Sequence, residues 1–421
     1  MTSDASPKRA GTIGLVAAVA LGVGGMMGAG LYTLLGLAAR SSGVLLPVSF
    51  LVAGAAAACS VYSYARLGAT YPGRGGAADF LRVALGDSVL CGGLNVFQYV
   101  AYLIATSLYA AGFAEYVGAL ARHGISADAG KLVGAAVVVV FALVNLVGSQ
   151  LVGRSQTVII VIEVTILIGL IAVALHGVDP ERLAQASQAS GLGVVTAAAL
   201  LYVTYQGFGV VTNAAGDMAD PARELPRAMF LALGIVAATY LIISTLVVTV
   251  LPLATIEADA GHVLASFGGA VAGHAGFLVI GAAAILATGS AVNATLFACG
   301  NIAADLAEHG QLPTVMARGA LPASAALVIV LVLFFPLDAV GQMTSLAFLV
   351  VYGAVSAAHL RIRAHTGALA WPVRLAVGFN ILLFALLLVD TIRTGSPATW
   401  ITLLGALAGS FVVAALLRPR T

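Results

Sequence analysis

The stretch Gly22-Val23-Gly24-Gly25-Met26-Met27-Gly28-Ala29-Gly30-Leu31-Tyr32, GVGGMMGAGLY, lies inside the first hydrophobic segment of the chain and packs five glycines into nine residues. Apart from proline, glycine is the worst residue for a helix interior, at about 1 kcal/mol relative to alanine. Two readings compete. Gly24 and Gly28 form a GxxxG pair, which lets membrane helices approach closely. Alternatively the helix is discontinuous, and its second half starts near Gly28 with free N–H groups and a positive dipole end that attract carboxylates. The glycine order does not give GxGxxG and no strand precedes it, so a nucleotide loop is excluded.

The stretch Tyr202 to Asn213, YVTYQGFGVVTN, sets Gly207 and Gly209 among Thr, Tyr and Gln in another apolar segment. Transporters built from inverted repeats carry interrupted helices at corresponding places in their two halves. The two stretches fall in spans one and six, which correspond if the repeat unit is five spans. A carboxylate held at one half-helix N-terminus and an ammonium held by unwound carbonyls suit a zwitterion such as an amino acid.

Composition places both stretches in a membrane. The 421 residues are 61% hydrophobic and 9% charged, with mean hydropathy +1.06; soluble domains carry about 25% charged residues. Twelve spans are expected near Ile13–Leu37, Val44–Ala69, Val89–Val117, Leu132–Val147, Val158–Leu175, Val194–Ala215, Ala228–Leu251, Phe277–Leu306, Ala325–Leu337, Met343–Leu360, Pro372–Val389 and Thr399–Leu417. Each approaches the length that crosses a ~30 Å hydrocarbon core. The first is too long for a cleaved signal and is expected to be retained. With a cytoplasmic N-terminus, fourteen Lys and Arg fall inside and five (Arg40, Arg122, Lys131, Arg182 and Arg393) outside, so both termini are expected in the cytoplasm.

No connection is long enough for a soluble catalytic module. There is no HExxH, no Ser/His/Asp arrangement and no pair of carboxylates within the spans, so no enzyme is expected. The seven histidines and Cys59, Cys91 and Cys299 lack metal spacing, so neither metal nor cofactor is expected. The basic residues are scattered near segment ends, which gives no case for nucleic acid.

Four blocks resemble the amino acid–polyamine–organocation (APC) transporters, most of all the proton-coupled prokaryotic amino acid permeases. They are GVGGMMGAGLY, the Tyr62–Asp87 block YSYARLGATYPGRGGAADFLRVALGD, the Tyr205–Met229 block YQGFGVVTNAAGDMADPARELPRAM, and the Gly289–Pro313 block GSAVNATLFACGNIAADLAEHGQLP. The resemblance implies an all-α membrane protein of about twelve helices in a five-plus-five inverted repeat, with helices 1 and 6 broken. On that plan residues 1–11 are a cytoplasmic tail, 12–176 the first repeat, 177–363 the second, and 364–421 two further helices with a cytoplasmic end. It implies a secondary transporter in the cytoplasmic membrane of a prokaryote. The N–H groups of Gly28, Ala29 and Gly30 would hold the substrate carboxylate, and carbonyls around Gly24, Met26, Tyr202 and Tyr205 its amino group. Met27 and Gly207 fall in the same two segments. Tyr202 matches an aromatic residue that closes over substrate, Tyr102 would line the cavity or serve as an interhelical contact, and Thr204 and Gln206 would select side chains or satisfy freed backbone.

Glu163 is the acid placed deep inside a span, in SQTVIIVIEVTILIGLIAVAL. Such a group costs at least ~2.5 kcal/mol on insertion scales and marks ion and proton pathways. The proton-coupled branch has a lysine at the matching position, so the charge here is reversed. A carboxyl group out of water can carry a proton, or it can coordinate sodium with the Gly24 carbonyl and the hydroxyls of Thr288 and Ser290. Proton coupling through Glu163 is expected, with sodium coupling as its rival. Many relatives carry glutamate where this chain has Gly209, which argues against an exchanger of that kind. A membrane-embedded sensor is the alternative from a different class. The expected partners are a neutral amino acid, a proton or sodium ion, and the bilayer. Asp217, Asp220, Arg223, Glu224 and Arg227 read as a solvated loop, with ion pairs to Arg66 or Arg74 as a gate, and Asn293 reads as structural.

Overall fold

The computed structural model describes residues 13–73, 76–121, 124–147, 150–179, 181–182 and 190–417, with backbone alone at 147 and 150–157. The first span is two helices, α1 (Leu15–Met27) and α2 (Ala29–Ser42). They part at Gly28, whose φ of −57° and ψ of −148° lie outside the helical region. A 3-10 turn at Gly43–Leu45 leads into α3 (Leu46–Thr70). The apolar run Ala29–Thr70 is 42 residues long, about 60 Å of helix and twice the ~30 Å core. The turn at Gly43 therefore divides it between the second half of span one and the whole of span two.

A short helix, α4 (Ala77–Leu85), joins spans two and three; it buries Ala77, Ala78, Phe80 and Leu81. Next come α5 (Val89–Leu120), α6 (Ala127–Val147) and α7 (Gln150–Ala174). The sixth span is α8 (Gly191–Leu201), a 3-10 turn over Tyr202–Tyr205, and α9 (Phe208–Asn213). The remaining helices are α10 (Pro221–Val250), the short α11 (Leu253–Ala258), α12 (Val263–Glu308), α13 (Met316–Phe334), α14 (Leu337–Thr366), α15 (Ala370–Thr394) and α16 (Pro397–Leu417). The described residues form no β-strand, only an isolated bridge between Ile13 and Met218.

The layering follows from what each helix buries. The α5 helix, the sixth span and α14 are innermost, whereas α6, α7 and α16 keep most of their apolar side chains outward. Exposed Leu146, Val161, Ile168 and Leu416 are examples. Lipid is as apolar as leucine, so helices in a bilayer associate through close packing and polar contacts rather than by hiding such residues. Accordingly α5 packs along α12 and α3 along α10, and Asn145 Nδ2 donates to Asn293 Oδ1 at 2.8 Å to tie α6 to α12. That bond gives Asn293 the structural role expected of it.

Two boundaries differ from expectation. The ninth span was expected to reach Leu337, but α13 ends at Phe334 and Leu337 begins α14. Phe335 is extended (φ −121°, ψ 132°) because it precedes Pro336, which disfavours the helical region. The helix also starts nine residues before Ala325, with Pro322 inside it. Second, Arg223, Glu224 and Arg227 belong to the first turns of α10 rather than to a loop, because the Asp220 carboxylate accepts from the Arg223 N–H and caps that helix. The eighth span agrees with its expected start at Phe277, because α12 is bent at Ala272 and Gly273, where the φ of +64° at Gly273 requires glycine. The crossing helix therefore begins after the bend.

Candidate functional site

The two broken spans meet in the middle of the bundle, and glycine permits the meeting. A Cβ on Gly207 would lie 1.9 Å from the Gly25 carbonyl carbon and 2.4 Å from the Met26 nitrogen. No side chain fits there, so the backbones of the two spans touch. At Gly28 a Cβ would meet nothing nearer than the Gly24 carbonyl oxygen at 3.8 Å. Gly25 and Gly207 thus serve close approach, and Gly28 marks the break itself.

Unwinding a membrane helix frees carbonyls that need partners, and tyrosines supply them. The Tyr240 hydroxyl on α10 lies 2.6 Å from the Met26 carbonyl and 3.2 Å from the Thr204 carbonyl, so one donor spans both breaks. The Tyr352 hydroxyl on α14 donates to the Gln206 carbonyl at 2.7 Å. Gln206 Nε2 in turn donates to the Tyr109 hydroxyl on α5 at 3.0 Å.

Beside this crossing lies a cavity of about 130 Å³ walled by α1, α2, the sixth span, α5, α7 and α12. Of the residues singled out in the sequence, it brings together Gly24, Met26, Gly28, Ala29, Gly30, Tyr102, Glu163, Thr204, Gln206, Gly207 and Ser290. Met27, Tyr202, Tyr205 and Thr288 are buried outside its lining. The reason for the two tyrosines is periodicity. In a 3-10 turn residues i and i+3 eclipse, so Tyr202 and Tyr205 share one edge, and that edge faces α3. The Tyr202 hydroxyl lies 2.7 Å from Ser60 Oγ, which also accepts from Asn380 Nδ2 at 3.0 Å. The Tyr205 hydroxyl donates to the Phe50 carbonyl at 3.1 Å. Val203 and Thr204 then face the cavity. Thr288 turns its hydroxyl back to the Ala284 carbonyl at 2.6 Å.

Glu163 is 5% exposed, and its Oε1 has no hydrogen-bond partner among the described residues. It is the one carboxylate in the cavity wall among the described residues. The buried hydroxyl of Tyr32 likewise has no hydrogen-bond partner among the described residues. Farther along α2, the helix is tied to α5. The Tyr116 hydroxyl donates to the Tyr32 carbonyl at 3.0 Å, and the two rings stack edge-on at 6.1 Å. Toward the predicted cytoplasmic face the cavity adjoins a larger one of about 780 Å³, with Tyr102, Val210, Ala294 and Ala298 in both walls.

The proposed gate pairs take a different form. Arg66 donates to the Gly367 carbonyl at 2.9 Å, Arg223 pairs with Asp220 in its own turn, and Arg74 lies outside the described residues. No group of residues suited to a metal ion occurs among those described.

Two walls were not singled out in the sequence. Tyr109 stands two helical turns from Tyr102 on the same face of α5, a spacing that could have revealed it. Ala287, Ala291, Ala294 and Ala298 form a stripe of small residues on α12 at spacings of three and four, which is legible only once α12 is known to face the breaks.

Comparison with known proteins gives the family. Residues 13–415 match the amino acid permease family model, and the chain belongs to that family. Inner membrane transport protein YbaT of Escherichia coli is 28% identical over 96% of each chain. An uncharacterized protein of Methanocaldococcus jannaschii is 31% identical over 81% of this chain and 80% of its own. Branched-chain amino acid permease BcaP of Bacillus subtilis is 27% identical over 56% of this chain and 54% of its own. The fold is the twelve-span membrane architecture of this superfamily, and the activity these matches support is membrane transport of amino acids.

Proposed function

We propose that the chain is a symporter that carries neutral amino acids across a prokaryotic cytoplasmic membrane by alternating access, coupled to protons through Glu163. One observation carries this reading: two broken helices and a carboxylate unpartnered among the described residues surround a single buried cavity. The start of α2 at Ala29 and Gly30 offers N–H donors to a carboxylate. The Gly24 carbonyl, the remaining lone pair at Met26 and the turn at Val203 and Thr204 offer acceptors to an ammonium. The small face of α12 leaves room for a side chain and opposes it with no fixed charge. Binding and release then involve no covalent step.

Coupling follows from charge. A carboxylate that gains and loses a proton as its access to water alternates changes the charge of the cavity by one unit, and so ties substrate binding to proton binding. The five-plus-five division at residues 12–176 and 177–363, with 364–421 as two added helices, belongs to this reading. So do the cytoplasmic termini, supported by the Lys and Arg asymmetry.

The test is uptake of radiolabelled amino acids by reconstituted protein under an imposed pH gradient, with and without sodium. Accumulation in sodium-free buffer is expected, with loss in Glu163→Gln while substrate still binds. Strict sodium dependence at zero pH gradient would reassign coupling to sodium. Uptake only against a counter-substrate would make it an exchanger, and binding without accumulation would make it a sensor.

A further inference from the structure

The larger cavity holds hydrogen-bonding capacity that the transport reading does not use. Two buried polar atoms on its wall, Tyr64 Oη and Gln98 Oε1, have no hydrogen-bond partner among the described residues, and Arg82 Nη1 beside them makes no hydrogen bond and only an ion pair, to Asp305 at 3.6 Å. Tyr64 is 1% exposed and Gln98 7% exposed, so neither is a surface group awaiting bulk water. The three groups come from three elements, α3, α5 and α4, and converge on one space of about 780 Å³. Buried polar groups in native proteins are nearly always satisfied, so this convergence calls for an occupant.

The charges narrow its chemistry. Arg82 pairs with Asp79 in its own helix and reaches Asp305 at the end of α12 at 3.6 Å. One guanidinium between two carboxylates disfavours a simple anion, and the guanidinium disfavours a simple cation. A zwitterion finds a partner at each end. The rest of the wall includes Phe297, Ile302 and Phe348, which suit an apolar side chain. The position is on the route between the central cavity and the predicted cytoplasmic face, and the Tyr102 ring stacks on Phe348 at 5.5 Å at the throat between them.

We propose that this vestibule is a second site for the transported amino acid, a release station where Arg82 and Tyr64 take the carboxylate and Gln98 and Asp305 take the ammonium. The assignment rests on the transport reading, because that reading names the zwitterion that passes. The station holds substrate after it leaves the breaks and before it reaches water.

The test is equilibrium dialysis of the purified full-length protein against each of the twenty common amino acids in radiolabelled form, with melting temperatures measured in parallel. Gln98→Leu and Tyr64→Phe remove unpartnered polar atoms and keep side-chain volume, so neither should lower the melting temperature. Ala291→Phe fills the central cavity from α12. For at least one amino acid, binding of about two per chain is expected, falling to about one in each of the three variants. About one per chain, abolished by Ala291→Phe and unchanged by Gln98→Leu and Tyr64→Phe, overturns the second site and leaves the transport reading standing. No binding of any of the twenty, together with no uptake in proteoliposomes, overturns both.

Discussion

The two broken spans solve the same problem in opposite ways. The first breaks at one residue: α1 stops at Met27, α2 starts at Ala29, and the space around Gly28 is open. The sixth breaks over several residues: a 3-10 turn from Tyr202 to Tyr205 runs on through Gln206 and Gly207, and its carbonyls are held by Tyr240 and Tyr352. Where the first break needs room for a ligand, the second needs anchors. On the proposed reading the first span presents free donors and the sixth sets the geometry against which they are presented. Substitutions where the sixth span touches the first, at Gly207, should therefore damage the fold, and those at Gly28 should damage binding alone.

The severest test is the point of contact. A side chain at Gly207 would sit 1.9 Å from the Gly25 backbone, and neither main chain can retreat without moving its whole span. Gly207→Val should abolish transport and lower the yield of folded protein, since overpacking costs about 1–3 kcal/mol even where neighbours can shift. Gly209, two residues on, has nothing within 4 Å of a built Cβ. Gly209→Ala should leave the melting temperature within the range of a surface change, about 0.5 kcal/mol. Equal damage from the two substitutions, in detergent melting curves and uptake, would break the account of the crossing.

Glu163 stands beside the first break, where Ile160, one turn earlier on α7, already crowds Gly24. Glu163→Gln keeps the shape of the side chain and removes its titration. Proton-driven accumulation should fall at least ~10-fold, the equivalent of about 1.4 kcal/mol of lost coupling. Exchange of labelled for unlabelled substrate at equal pH, which needs no net proton movement, should survive. If both fall together, Glu163 supports the cavity wall rather than coupling.

How much of this was legible in the sequence depended on the kind of signal. The breaks were legible because glycine is costly inside a helix, and a chain that keeps five near Gly28 must use them. Glu163 was legible because an acid inside an apolar span is costly as well. The direction of Tyr202 and Tyr205 was not, since an α-helical wheel cannot anticipate a change to three residues per turn. Nor was the limit of the ninth span, where Pro336 ends a helix that tolerates Pro322 near its start. The vestibule was hidden for another reason: Tyr64, Arg82 and Gln98 are each unremarkable in sequence, and only the packing of α3, α4 and α5 makes them neighbours.

The anchors of the sixth span predict an intermediate effect. Tyr240→Phe removes the hydroxyl that reaches both the Met26 and Thr204 carbonyls. A hydrogen bond of this kind contributes about 0.5–1.5 kcal/mol net, so substrate affinity should drop by roughly 3- to 10-fold while the protein still folds. Tyr352→Phe touches the sixth span alone, through the Gln206 carbonyl, and should cost less than Tyr240→Phe in the same binding assay. The reverse order would mean that the second break, and not the joint between the two, sets the geometry of the cavity.

An effect on binding with none on folding is expected at Gly28, where the comparison is sharpest. Its φ of −57° is one that any residue adopts, and an added methyl would have space, so Gly28→Ala should fold and melt like the parent. Alanine, however, favours a continuous helix over the break by about 1 kcal/mol relative to glycine. That preference populates a state in which α1 runs into α2 and the N–H groups at Ala29 and Gly30 are no longer free. The fraction competent to bind falls, and the apparent Kd should rise by up to roughly 5-fold. A variant with unchanged melting temperature and weakened binding separates the two breaks as argued, because at Gly207 no substitution can weaken binding without also lowering the melting temperature.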